Sequence, residues 1–321
     1  MKTIFRLSII VCLAFTGAIS NAQQVTSPVM TYVPDPSGVL HPLLGIAGAA
    51  SLGGALNAGF GIRQAFIPPA HDYLLATVDG SSWPALIQIR DGNVTAQSIQ
   101  QDGSTIDRVE LSPAGSAAGL FSGSAGRIYV FRNLAASPVL VGEFEVGQLG
   151  TVSAFGVSDS GNSVLVGVFD GNAGTLVLMN LGEQPHVVAS VRHASAIQFL
   201  RQSDAAVIAD DLDNKVYGFI DGQVFVIAGE KDGIATPVAV AVGGDNAKAF
   251  VINSGSQSVT KIGPYGVVAQ PVHCDCTLTG FYATSTDSVF RVTDFSGGPV
   301  VLFDGNSPVP RMLLVPAGPQ N

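Results

Sequence analysis

The chain reads as an all-β propeller of six or seven four-stranded antiparallel blades, its ring closed by an N-terminal hairpin. Three observations predict this. A short run that is apolar on both faces recurs at 73–78, 116–121, 163–169, 205–210, 247–252 and 288–293, each start 41 to 47 residues after the one before. A steady period in the low forties is the mark of propeller blades. In the clearest repeat, residues 205–228 (AAVIADDLDNKVYGFIDGQVFVIA), three apolar runs are separated by a polar turn and by Asp221-Gly222, a pair suited to the positive φ of a two-residue hairpin turn. Composition agrees, since 38 Gly occur without any long run of strong helix formers, which favours strands and turns.

Taken in order, residues 1–22 have the form of a secretory signal peptide. Lys2 and Arg6 open it, residues 7–15 form an apolar centre, and Ser20-Asn21-Ala22 supplies a small-residue cleavage site. An exported chain, secreted or periplasmic in a bacterium, is therefore expected. Gly, Asp, Asn or Ser breaks every later apolar run, so no membrane span is expected after cleavage. Residues 29–33 and 39–46 flank the turn Asp35-Pro36-Ser37-Gly38 and form a hairpin with no repeat of its own. It is expected to pair with the C-terminal strands, covering an edge that would otherwise be open. Whether it completes a sixth blade or makes most of a seventh stays open. Residues 48–61 (GAASLGGALNAGFG) read as a connector. The closing segment is then 23–60, the repeats 61–316 and a tail 317–321.

Each repeat supplies four strands. Inner strands are expected at 62–67, 107–111, 152–157, 196–200, 237–242 and 277–282, and third strands at 84–90, 126–132, 174–179, 215–220, 258–262 and 299–303. Fourth strands are expected at 94–99, 139–144, 186–191, 223–228, 266–272 and 311–315. The second strands lose the simple alternation of a half-exposed sheet because neighbouring blades cover both of their faces.

Residues 207–219, VIADDLDNKVYGF, resemble the NHL repeat: an aliphatic strand, Ala-Asp, a polar turn with Asn, then a strand. Residues 250–262, FVINSGSQSVTKI, are similar to the YVTN repeat of bacterial surface and periplasmic propellers. Residues 111–131, LSPAGSAAGLFSGSAGRIYVF, look like a tryptophan-aspartate-type repeat without its signature dipeptide. The resemblance implies a fold more than an activity, because such propellers include ligand-binding scaffolds, lactonases and hydrolases.

Charged residues are 12% of the chain and the net charge is −9. That argues against nucleic acid as a partner, since phosphate binding needs clustered Lys and Arg. A protein or a small molecule is the expected partner. The turns after the second strands begin with Asp79, Ser122, Asp170, Asp210, Asn253 and Asp294, and the fourth repeat adds Asp211 and Asp213. They share one rim, where such an acidic ring could hold Ca²⁺ or receive a basic partner. The competing explanation is turn chemistry, in which Asp, Asn and Ser bond their own backbone. No cofactor is expected beyond that calcium.

Cys274-Asp275-Cys276 places two thiols in the turn between the fifth and sixth repeats, as a local disulfide or as free buried thiols. A metal site there would lack ligands, with His273 alone adjacent. Catalytic residues are not identified: five His fall at unrelated positions and no Gly-x-Ser-x-Gly elbow occurs. The expected function is a non-enzymatic exported binding or interaction module. The alternative is a metal-assisted propeller hydrolase or lactonase using rim carboxylates.

Overall fold

The computed structural model describes residues 27–317 except 91, 264, 265 and 268. The expected signal peptide, 1–22, and residues 318–321 of the tail lie outside the described residues. Seven antiparallel sheets form, in chain order. Blade one holds β1 (Val29–Pro34), β2 (Leu40–Ile46) and β3 (Ala49–Leu52). Blade two holds β4 (Ile62–Phe66), β5 (Leu74–Val78), β6 (Ala85–Arg90) and β7 (Asn93–Ser98), and blade three β8 (Arg108–Leu111), β9 (Ala117–Ser122), β10 (Arg127–Arg132) and β11 (Val139–Glu145). Blade four holds β12 (Thr151–Val157), β13 (Ser163–Phe169), β14 (Gly174–Asn180) and β15 (His186–Val191). Blade five holds β16 (Ala194–Phe199), β17 (Ala206–Asp210), β18 (Lys215–Ile220) and β19 (Gln223–Ala228).

The last two blades are less regular. Blade six has β20 (Pro237–Val242), β21 (Ala249–Asn253), β22 (Ser258–Gly263), β23 (Gly266–Val267) and β24 (Val272–His273). Its expected fourth strand is split, because β23 and β24 both pair with β22. Blade seven has β25 (Tyr282–Ala283), β26 (Val289–Arg291), β27 (Val300–Asp304) and β28 (Arg311–Val315). Its inner strand, expected over 277–282, is reduced to Tyr282–Ala283, of which Tyr282 alone falls within that stretch.

The hairpin is thus most of a seventh blade, and the stretch read as a connector gives that blade its third strand. Among the described residues the expected pairing with C-terminal strands does not occur. β1 pairs with β2, and β2 with β3, while β28 pairs with β27. Since both edge blades are complete sheets in themselves, they meet face to face.

Stacking explains the sequence period. β17, β21 and β27 are buried at every position, as a strand covered from both sides must be. Seven apolar clusters follow, one at each junction between successive blades. The cluster that closes the ring joins Met30, Val33 and Leu43 of blade one to Val289, Val300, Leu302 and Val315 of blade seven. Three hydrogen bonds fix this seam: Thr31 Oγ1 to Ala283 O (3.0 Å), Ser285 N to Met30 O (2.8 Å) and Ser285 Oγ to Val29 O (3.1 Å). At another junction Gly156 is required by space, since a Cβ there would lie 2.9 Å from the carbonyl oxygen of Ile197. It lets β12 and β16 approach closely around the axis.

Candidate functional site

The rim carboxylates are spent on local structure. Asp210 is fully buried; its Oδ2 accepts the Arg192 N–H at 2.8 Å and its Oδ1 the Asp213 N–H at 2.9 Å. Asn253, equally buried, accepts the Ala235 N–H at 3.1 Å. In both blades the end of the second strand grips the backbone 18 residues upstream, where the chain enters the blade. Asp170 accepts the N–H groups of Asn172 and Ala173, each at 2.8 Å, and these bonds hold its carboxyl below the usual range.

The remaining four face cations or a histidine. Asp79 lies 3.5 Å from Arg63, Asp294 3.3 Å from Arg291, and Asp213 2.9 Å from Lys215. Asp211 Oδ1 meets His193 Nδ1 at 2.6 Å. Among the described residues no three His, Cys, Asp or Glu side chains come together to hold a metal. The six carboxylates are not brought to one point, and the calcium reading gains no geometry. Cys274 and Cys276 are joined in a disulfide, at the edge of the cluster between blades six and seven.

A cavity of about 700 Å³ lies elsewhere, on the propeller axis. Its wall is made by the inner strands β4, β8, β12, β16, β20 and β25 and by the turns that follow them. Antiparallel strands alternate in direction, so those turns sit at the rim opposite the one carrying the second-to-third-strand turns. The mouth of the cavity and the acidic turns are therefore on opposite rims.

Four of the residues lining this cavity are charged: Arg108, Glu110, Arg201 and Asp287. Arg108 and Glu110 alternate with Val109 on β8; Val109 is buried in the cluster between blades two and three, and its two neighbours project from the other face. Arg108 Nη1 donates to the carbonyl of Ser153 on β12 at 2.7 Å. Among the described residues no ion pair or hydrogen bond reaches the Glu110 carboxyl. Enclosure by protein pushes that carboxyl up to about 7, while the Arg108 charge draws it the other way. Ser153 Oγ is buried without a partner, and so is Arg201 Nε in the turn after β16. Phe66 and Val238 supply apolar wall between these groups.

The turn carboxylates and the cavity mouth lie at opposite rims. On the expected inner strand 107–111, Arg108 and Glu110 put opposite charges two residues apart. On a strand that lines an axis, this spacing aims both at the same space.

No protein-family model matches the sequence, and no curated protein matches it. Solved structures share the fold. A functionally unknown protein from Desulfotomaculum acetoxidans DSM 771 has a TM-score of 0.60 at 10% identity, over 88% of this chain and 96% of that one. A catalytically inactive virginiamycin B lyase from Staphylococcus aureus with quinupristin has a TM-score of 0.57 at 12% identity, over 82% and 87%. The nidogen/laminin complex contains a chain with a TM-score of 0.51 at 13% identity, over 78% and 96%. At these identities the likeness is one of fold.

Proposed function

We propose that the chain is an exported binding module that receives a small ligand in its axial cavity. The observation that carries this is the wall of that cavity, where Arg108 and Glu110 face a concave, half-open space without pairing with each other or with another charged side chain among the described residues. Concave, mostly apolar sites with a few polar groups are where small molecules bind, and a strongly shifted titratable group marks such a place. The blades are read as NHL- and YVTN-like repeats: residues 207–219 form a second strand, turn and third strand as that reading requires. The neighbours of similar fold include a chain from a protein–protein complex and an enzyme, and the rim carboxylates offer the enzyme alternative no assembled centre.

The test is a thermal-shift screen of the mature chain against small ligands, repeated on Val238→Trp. Val238 lines the cavity and is partly exposed within it. A ligand that binds only the folded state raises its melting temperature by mass action. The expected result is a hit that stabilises the native chain and loses its effect in the filled variant. Hits that stabilise both proteins equally would place the site off the axis.

A further inference from the structure

Resting on the cavity reading, we infer that the ligand is a small zwitterion, an α-amino acid or a short peptide with an apolar side chain, whose carboxylate meets Arg108 and whose ammonium meets Glu110. The two residues stand at i and i+2 on β8, so their Cα atoms are about 6.6 Å apart at a rise of ~3.3 Å per residue and their side chains leave the same face. Side chains of this length on one strand face can reach each other. They do not: Arg108 is drawn away by its bond to Ser153 O on the next blade, and no ion pair within 4 Å joins it to Glu110 among the described residues. Held apart and only partly exposed, the two opposite charges keep bonding capacity that a ligand of both signs would complete.

The completing group is defined by the couple. Arg108 has guanidinium donors left over after the Ser153 bond, suited to a carboxylate. Glu110 offers two acceptor oxygens with no protein donor among the described residues, suited to an ammonium group. A simple anion would satisfy Arg108 and face Glu110 with like charge, and a simple cation would do the reverse. Only a molecule carrying both signs meets both. Phe66, half-buried, and Val238, exposed, provide the surface for an apolar side chain.

The remaining charged groups of the wall, Arg201 and Asp287, lie in the turns after β16 and β25, at the mouth. The faces that β12, β16 and β20 turn to the cavity carry Ser, Gln and apolar side chains, and β25 adds Tyr282. Protonation of Glu110 therefore acts on a site where Arg108 is the neighbouring charge. On acidification the carboxyl becomes neutral and its attraction for ammonium falls.

The experiment is calorimetric titration of the full mature chain with the twenty α-amino acids, then with leucine against its two halves, 4-methylpentanoate and 3-methylbutylamine. The expected result is binding of at least one apolar amino acid at pH 8, weaker by about tenfold or more in Glu110→Gln and in Arg108→Gln, as loss of a charge-assisted bond implies. Affinity should also decline between pH 8 and pH 5.5 in the native chain and change less in Glu110→Gln. Unliganded melting curves show whether each variant is folded, and Glu110→Asp, which keeps the charge on a shorter arm, serves if Gln disturbs the fold. Binding of 4-methylpentanoate or 3-methylbutylamine as tight as that of leucine would overturn the zwitterion and leave the cavity reading standing. No binding by any amino acid or by a mixed dipeptide pool would also overturn it. Binding that survives both Gln variants but not Val238→Trp would keep the cavity and remove the role of the couple.

Discussion

Thr31 donates its hydroxyl to the carbonyl of Ala283 at 3.0 Å, joining two residues 252 positions apart in the chain. Thr31 is fully buried in the seam between the first and last blades. Thr31→Val keeps the shape and removes the donor, leaving a carbonyl without that partner, which costs about 1–3 kcal/mol. Calorimetry should show a melting temperature lower by a few degrees, and an unchanged one would mean that the seam bond contributes nothing.

Removing residues 23–47 takes away Met30, Val33, Leu40 and Leu43, none more than 1% exposed. Each such side chain contributes roughly 1.5–3 kcal/mol through burial, so the loss is on the order of the net stability of a domain. The shortened chain is expected to aggregate or to melt far below the intact one. If it melts within a degree or two, six blades close without the first.

Asp210 and Asp170 look alike in sequence and differ in the fold. Asp210→Ala leaves the partly buried N–H groups of Arg192 and Asp213 without their acceptor and should cost about 1–3 kcal/mol in denaturant unfolding. Asp170→Ala, at an exposed turn, should fall within about 1 kcal/mol of the native chain. Equal effects would contradict the structural role assigned to the buried one.

Two groups give the stability a pH dependence of opposite sign. Burial pushes His71 from its ordinary 6.5 down to about 4, partly opposed by Asp72, and both its ring nitrogens are buried without a partner among the described residues. The unfolded chain then binds more protons between those values, so this contribution is present above pH 6.5 and is lost as pH falls towards 4. Glu110, pushed up from 4.5 to about 7, acts the other way, because the folded chain binds more protons. Its contribution is present below pH 4.5 and is lost as pH rises through 7. His71→Asn, which tolerates the positive φ of that position, should remove the acid-side loss and expose the Glu110 slope. Glu110→Gln should raise the melting temperature at pH 8 and have little effect at pH 4.5. Profiles for the variants that run parallel to the native one from pH 4 to 8 would refute both assignments.

The blades were legible because their second strands are covered on both sides. That demand writes continuous apolar runs such as 205–210 and 247–252 at a constant interval, a signal that survives the absence of any matching family. The short strand Ala49–Leu52 was not legible, since small residues suit a connector as well as an outer strand with one face in solvent. Blade seven keeps only Tyr282–Ala283 as its inner strand, and the run 277–282, with Thr277, Thr279 and Gly280 in it, offers little β-branched apolar sequence to extend it. For the site, turn carboxylates drew attention by repetition, and repetition is what structural turns produce. Arg108 and Glu110 occur once, and a feature that breaks the period is the better pointer to a function in a repeat protein.

The self-contained first blade also bears on where the chain could begin. Among the described residues each sheet is drawn from one contiguous stretch, and no strand is lent from one end to the other. Met30 and Val315, near the two ends of the described residues, share the same apolar cluster. A short linker could therefore join residues 27 and 317, and new ends could be cut between any two blades, such as at 148–150, without dividing a sheet. Such a permuted chain would keep every ladder and only move the place where synthesis starts and stops. The order in which blades leave the ribosome would change, while the pairings, nearly all local in sequence, would form as before. The discontinuity of the ring is then a property of the polypeptide's ends, and it can be relocated.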